Sequence, residues 1–116
     1  MKIDGYEFPD VNMDGNGIAR YYSLTNPWMD VIAVVPDRHT KRAKDIMGRA
    51  MSAWWDKDKG QSYGDVIDDA LLGEYIPHHL IFHDPNDETD EYEAAWEKYI
   101  DGLYAATQHR MPASEF

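Results

Sequence analysis

The stretch Trp28-Met29-Asp30-Val31-Ile32-Ala33-Val34-Val35-Pro36-Asp37 decides how this chain is read. Its centre, VIAVV, is aliphatic without a polar interruption, the pattern of a strand covered on both faces. Pro36 then ends the run, and Asp37 offers a carboxylate to the free N–H groups of a following helix. From about Arg38 to Lys57 the spacing turns helical: Ala43, Ile46, Met47, Ala50 and Trp54 fall on one stripe.

Working outward, Ile18–Leu24 reads as a strand carrying Tyr21 and Tyr22, broken by Asn26-Pro27. Lys2–Phe8 reads as a short strand ended by Pro9. Downstream, Ser62 is a natural helix cap with Asp65 in the first turn; Val66, Ile67, Ala70 and Leu71 form the inner side, and Gly73 the stop. Tyr75–Phe82 returns as a strand. Asp84-Pro85-Asn86-Asp87 turns the chain into a last helix, about Glu88 to Gln108, with Tyr92, Ala95, Trp96, Tyr99 and Leu103 inward. The order β-β-β-α-α-β-α predicts one α+β domain over residues 1–116, with a mixed sheet, helices mainly on one face and a loose tail at 110–116. The connection from Trp28–Val35 through two helices to Tyr75–Phe82 reads as a right-handed crossover of parallel type.

Composition narrows the function. Twenty-two acids oppose eleven Lys and Arg, a net charge of −11. Direct binding to nucleic acid or an anionic membrane is disfavoured, and a basic partner is favoured. The charges are uneven: Arg38, Lys41, Arg42, Lys44 and Arg49 cluster early, whereas acids dominate from Asp84 to Asp101. The basic cluster reads as the solvated side of an amphipathic helix. The absence of Cys excludes thiolate metal sites and thiol nucleophiles. With no apolar leader in MKIDGYEF, it points to the cytoplasm.

The chemical candidates are few. Asp10-Val11-Asn12-Met13-Asp14-Gly15 resembles the front of an EF-hand or dockerin calcium loop, with Asp10, Asn12 and Asp14 as ligands. The position of the bidentate acid holds Tyr21, so a turn built on Asp-Gly and Asn-Gly is the expected reading. Gly15-Asn16-Gly17 opens G-x-G-x-x-G but ends on Arg20 and precedes a strand, against a dinucleotide site. His78, His79 and His83 in HHLIFHD read as a solvated strand surface, because strand alternation prevents them from gripping one ion together. No serine lies in a nucleophile elbow. Neither an enzyme nor a cofactor is expected.

Two surface features carry the functional expectation. Glu93, Glu97 and Asp101, spaced i, i+4, i+8, form one column on the last helix, and Asp87 and Asp90 extend it. The column rises about 6 Å per step, close to the phosphate spacing of one nucleic-acid strand. The other feature is Trp54-Trp55 followed by Ser62-Tyr63-Gly64-Asp65-Val66-Ile67. Adjacent helical Trp point about 100° apart, so both cannot lie equally deep and one of Trp54 and Trp55 is an exposed anchor, which of the two being left open; Trp55 and Tyr63 are the expected partner-binding residues. This block, W-W then S-Y-G-D-x-I-x-x-x-L, resembles a run in short acidic proteins of phages and integrated mobile elements. The resemblance implies a setting in which small acidic proteins block restriction, CRISPR and other nucleic-acid enzymes; it assigns no residue a role. The expectation is a binding protein that inhibits a basic nucleic-acid-handling protein or nuclease through its acidic surface. The alternative is an interaction module using the aromatic patch, its acidity serving only solubility.

Overall fold

The computed structural model describes residues 1–26, 28–57, 60–87 and 89–110; the expected loose tail at 110–116 falls almost wholly outside them. Strands β1 (Lys2–Ile3) and β2 (Tyr6–Glu7) form a hairpin. Its turn residues Asp4 and Gly5 both have positive φ, 50° and 91°, the geometry whose twist matches flanking strands. The Asp-Gly pair thus folds in half what reads as one strand. Next come β3 (Asn16–Tyr22), β4 (Asp30–Pro36), a 3-10 turn (Asp37–His39), α1 (Thr40–Lys57), α2 (Tyr63–Gly73), β5 (His79–Phe82) and α3 (Asp90–Arg110).

The α+β class stands, and VIAVV is the covered central strand. In the order β3-β4-β5, every residue from Asp30 to Val35 is buried. Ile32 and Val34 face α3, joining Ile18, Ile81, Trp96 and Tyr99 in one core. Val31, Ala33 and Val35 face α1 and α2, joining Met47, Ile67 and Leu71 in the other. Helices therefore cover both faces of the sheet rather than mainly one.

The direction of β5 corrects a further expectation. β5 runs antiparallel to β4, with Val31 opposite Phe82 and Val34 opposite His79, and the β3–β4 pairing is antiparallel too. Where a mixed sheet with a parallel crossover is expected, all pairings among the described strands are antiparallel. The reason is the number of traverses. One helix after β4 returns the chain to the start of the sheet; the second, α2, carries it back to the end of β4, so β5 must run the other way.

Local signals fare unevenly. Ser62 caps α2 as read, its Oγ accepting from the Asp65 N–H at 3.3 Å. Asp37 instead opens the 3-10 turn, whose N-cap is Pro36. At the end of α2 the left-handed position falls on Tyr75 (φ 59°), not on Gly73. The N–H groups of Tyr75 and Ile76 bond the carbonyls of Leu72 and Leu71, both at 3.0 Å, which is a Schellman closure with Tyr in the place usually taken by Gly. Among the described residues no helix is long and apolar enough to cross a membrane.

Candidate functional site

The acidic column is drawn into the fold. Asp30, 2% exposed at the head of β4, accepts from Arg20 Nε at 2.8 Å and Nη2 at 2.5 Å, and from Trp96 Nε1 at 2.8 Å. Arg20 Nη2 also reaches Glu97 Oε1 at 2.9 Å. These bonds, Asp30 first, raise the Arg20 pKa further although burial opposes them. One turn earlier on α3, Glu93 Oε1 lies 2.6 Å from His83 Nε2. Asp87 braces the α3 cap Thr89, its Oδ1 accepting from Thr89 N–H at 3.2 Å and Oγ1–H at 2.7 Å, while Thr89 Oγ1 accepts from the Tyr92 N–H at 3.2 Å. Asp90 and Asp101 lie on the exposed side of α3. Of the expected phosphate-like column, two members therefore hold the helix to the sheet.

The calcium-like loop is a turn. Asp10 pairs with the N-terminal ammonium at 3.0 Å, and Asn12 Oδ1 accepts from the Asp14 N–H at 3.0 Å. Asn16 Nδ2 donates to the Asn12 carbonyl at 2.9 Å, and Gly15 takes φ 74°. Of the side chains read as ligands, Asn12 closes an Asx turn and Asp10 ties the loop to the N-terminus. The three histidines of HHLIFHD correct their expectation: of His78, His79 and His83, only His79 is exposed. The side chain of His78 is buried, with Nε2 2.5 Å from Asp68 Oδ1. His83 is 4% exposed, set edge-on against Tyr92 and Trp96. Among the described residues no three His, Cys, Asp or Glu side chains converge as for a metal ion. Of the basic cluster, Arg38 falls in the 3-10 turn, and Lys41, Arg42, Lys44 and Arg49 lie on the outer face of α1, where Arg49 pairs with Asp45 and Arg42 lies 3.6 Å from Glu74.

The aromatic residues do converge. The end of the sheet where β4 begins and β5 finishes also receives the end of α1 and the start of α2. Tyr63 sits at the centre, half-buried, with ring centroids 6.1 Å from Trp28, 6.5 Å from Trp54 and 5.8 Å from Phe82. Of the adjacent pair, Trp55 is the exposed member at 49%; Trp54 turns in and donates Nε1–H to the Gln61 carbonyl at 2.6 Å. Trp28 and Phe82 are each 43% exposed. Phe82 lies so close on the first turn of α2 that a Cβ on Gly64 would sit 2.9 Å from its Cζ. Burial, and then the charge of Asp30, push the Tyr63 hydroxyl pKa up.

The arrangement groups half-exposed rings from the turn before β4, from α1 and from β5. Trp55 and Tyr63 were legible in the sequence. Trp28 and Phe82 were not read as site residues, although an aromatic at the end of a buried strand is the available signal. Asp30 also carried a signal: an acid beside a five-residue aliphatic run must find a partner if buried. No protein family, curated protein or solved structure matches the chain.

Proposed function

We propose that this chain is a small binding protein that engages a basic, nucleic-acid-handling protein and blocks it. Docking is led by the aromatic platform, with the acids as an electrostatic surround. One observation carries the choice of surface: Trp28 from the turn before β4 and Phe82 from β5 flank Tyr63, Trp55 of α1 follows through Trp54, and Trp28, Trp55 and Phe82 remain 43%, 49% and 43% exposed. Exposed Trp and Tyr on a rigid frame are the residue types that dominate binding energy. The net charge of −11 supports a basic partner by steering it and by repelling nucleic acid and other acidic proteins. The phosphate-like column is the weaker alternative surface, because Glu93 and Glu97 are committed to His83 and Arg20.

Salt and substitution separate the two surfaces. Affinity for a basic nuclease or DNA-binding protein of the native host is measured across ionic strength for the wild type, Trp55→Ala and an Asp87→Asn/Asp90→Asn/Asp101→Asn triple variant. An aromatic-led interface loses about 2 kcal/mol or more in Trp55→Ala, while the triple variant mainly slows association. The reverse pattern moves the interface to α3.

A further inference from the structure

Strand β5 lies at an edge of the sheet, paired with β4 alone. Just past it, the His83 N–H donates to the Asp30 carbonyl at 3.0 Å, and this fixes the phase of the ladder. Antiparallel pairing alternates, so His79 and Ile81 turn their main-chain groups to β4, while Leu80 and Phe82 turn theirs outward. Among the described residues no hydrogen bond reaches those outward N–H and C=O groups. The side chains alternate in the same phase. Leu80 packs toward the core under α1 and α2, and Phe82 lies against Tyr63 and Gly64 of α2. Ile81 and His83 turn to α3.

An open edge is a template for another strand, and protected edges carry charges, prolines or bulges. The run Leu80-Ile81-Phe82 has no charge and no proline, and its register against β4 is unbroken. The opposite edge, β3, is guarded: Arg20 stands in it, and the Asn16 N–H at its start is already donated to the Met13 carbonyl at 3.1 Å. Along the open edge, on the α2 side, runs a groove of about 500 Å³ lined by Tyr63, Gly64, Leu80 and Phe82. Acids stand on both sides of the edge. Asp65 lines the groove, Glu93 meets His83 on the α3 side, and Asp10 shares a second cleft with His79. Neither cleft is lined by Lys or Arg. A second copy of this chain would bring another charge of −11 to an acidic edge, so a cationic strand fits it and a self-paired one does not.

Resting on the reading of a basic protein partner, we infer that the partner adds an extended basic segment to the outer edge of β5 as a further antiparallel strand. Residues of the segment opposite Leu80 and Phe82 exchange main-chain hydrogen bonds with them and lay apolar side chains in the groove beside Phe82. The alternate residues carry Lys or Arg on the α3 side, toward Glu93 and Asp10. Main-chain bonds then supply affinity and the alternating side chains specificity. The strand continues the aromatic platform, because Phe82 belongs to both.

The test uses the full chain and a short synthetic peptide of alternating valine and lysine, with a glutamate-for-lysine form and forms N-methylated at the valines or at the lysines. Calorimetry at low salt gives affinities, and amide hydrogen exchange read by NMR reports on the edge. At saturation the lysine peptide is expected to slow exchange at Leu80 and Phe82 about tenfold or more, with little change at Ile81, which already faces β4. N-methylated valines lose the N–H groups that face β5 and should weaken binding about tenfold or more; N-methylated lysines, whose N–H groups face water, should stay within about twofold of the parent. The glutamate peptide should not bind. Leu80→Pro removes one outward N–H without removing a bond to β4 and should weaken the lysine peptide about tenfold. The N-methylated peptides on the unmodified protein decide the matter if that variant fails to fold. A lysine peptide that is indifferent to the position of N-methylation, leaves Leu80 and Phe82 unprotected and weakens in Trp55→Ala overturns strand addition while the basic-partner reading survives. Failure of the lysine peptide to bind at low salt, or binding no tighter than the glutamate peptide, overturns the two together.

Discussion

Two regions, the contact of α3 with the sheet and the aromatic end of the sheet beside α1 and α2, handle their side chains in opposite ways. Along the middle of α3 a carboxylate is inside and satisfied: Asp30 is 2% exposed and holds both Arg20 and Trp96. At the end of the sheet apolar groups are outside: Trp28, Trp55 and Phe82 keep nearly half their surface in water. A small domain has limited core volume, and an ordinary fold would bury rings before carboxylates. The inversion teaches that the acids read from sequence as a binding face partly tie the fold together, while rings at the end of the sheet stay in water.

Breaking the ion pair should have the largest effect. Asp30→Ala strands Arg20 at a partly buried site and leaves the Trp96 indole unpaired; the expected loss is about 3–5 kcal/mol, read from urea unfolding. If the loss is below 1 kcal/mol, the charge is not what ties α3 to β4.

The contact of α2 with Phe82 comes next. Gly64→Ala pushes a methyl into the Phe82 ring, and overpacking of this kind costs about 1–3 kcal/mol. Phe82→Leu in the same background should recover part of the loss, which a double-mutant cycle measures. No recovery would show the ring is free to move aside, and the aromatic platform less rigid than drawn.

The column itself gives a smaller effect. Converting Glu93, Glu97 and Asp101 to Gln relieves like-charge repulsion along the helix, worth a few tenths of a kcal/mol. It also removes charged partners of His83 and Arg20 that are about half exposed, so the net change is a loss of about 1 kcal/mol. A thermal melt that rises instead would return the column to the solvent, and to candidacy as a docking face. Tyr75→Gly runs the other way: Tyr75 is 90% exposed with φ 59°, and Gly there should stabilise the α2 terminus by about 0.5–1 kcal/mol.

At neutral pH the tyrosines contribute least to any difference, and their effect appears only in alkali. Burial pushes Tyr99 up to about 12 from 10, with Asp10 adding to it, and its hydroxyl donates to the Pro9 carbonyl at 2.6 Å. The unfolded chain therefore ionises first. The contribution of Tyr99 is complete below pH 10 and is lost as pH rises toward 12. Ultraviolet titration of phenolate should show a late class including Tyr63, Tyr92 and Tyr99, coincident with unfolding. A single transition near 10 with the fold intact would contradict their burial.

How much of this was legible follows from the range of each interaction. The amphipathic stripes of α1 and α3, the cap at Ser62 and the covered strand VIAVV depend on neighbours a few residues apart, so periodicity and residue type determine them. The sequence alone likewise set the charge of −11 and the absence of Cys chemistry. Strand direction was not local: β5 runs antiparallel because two helices, not one, intervene, and only packing on the sheet makes α1 and α2 a return pair. Nor was the fate of the acids. Glu97 meets Arg20 across 77 residues and Trp96 meets Asp30 across 66, so their spacing on α3 describes a column and says nothing of what lies beneath it. The aromatic platform is decided the same way: three other chain segments bring Trp28, the Trp54-Trp55 pair and Phe82 to Tyr63, and whether a ring ends in the core or in water depends on how much volume the other elements have already filled.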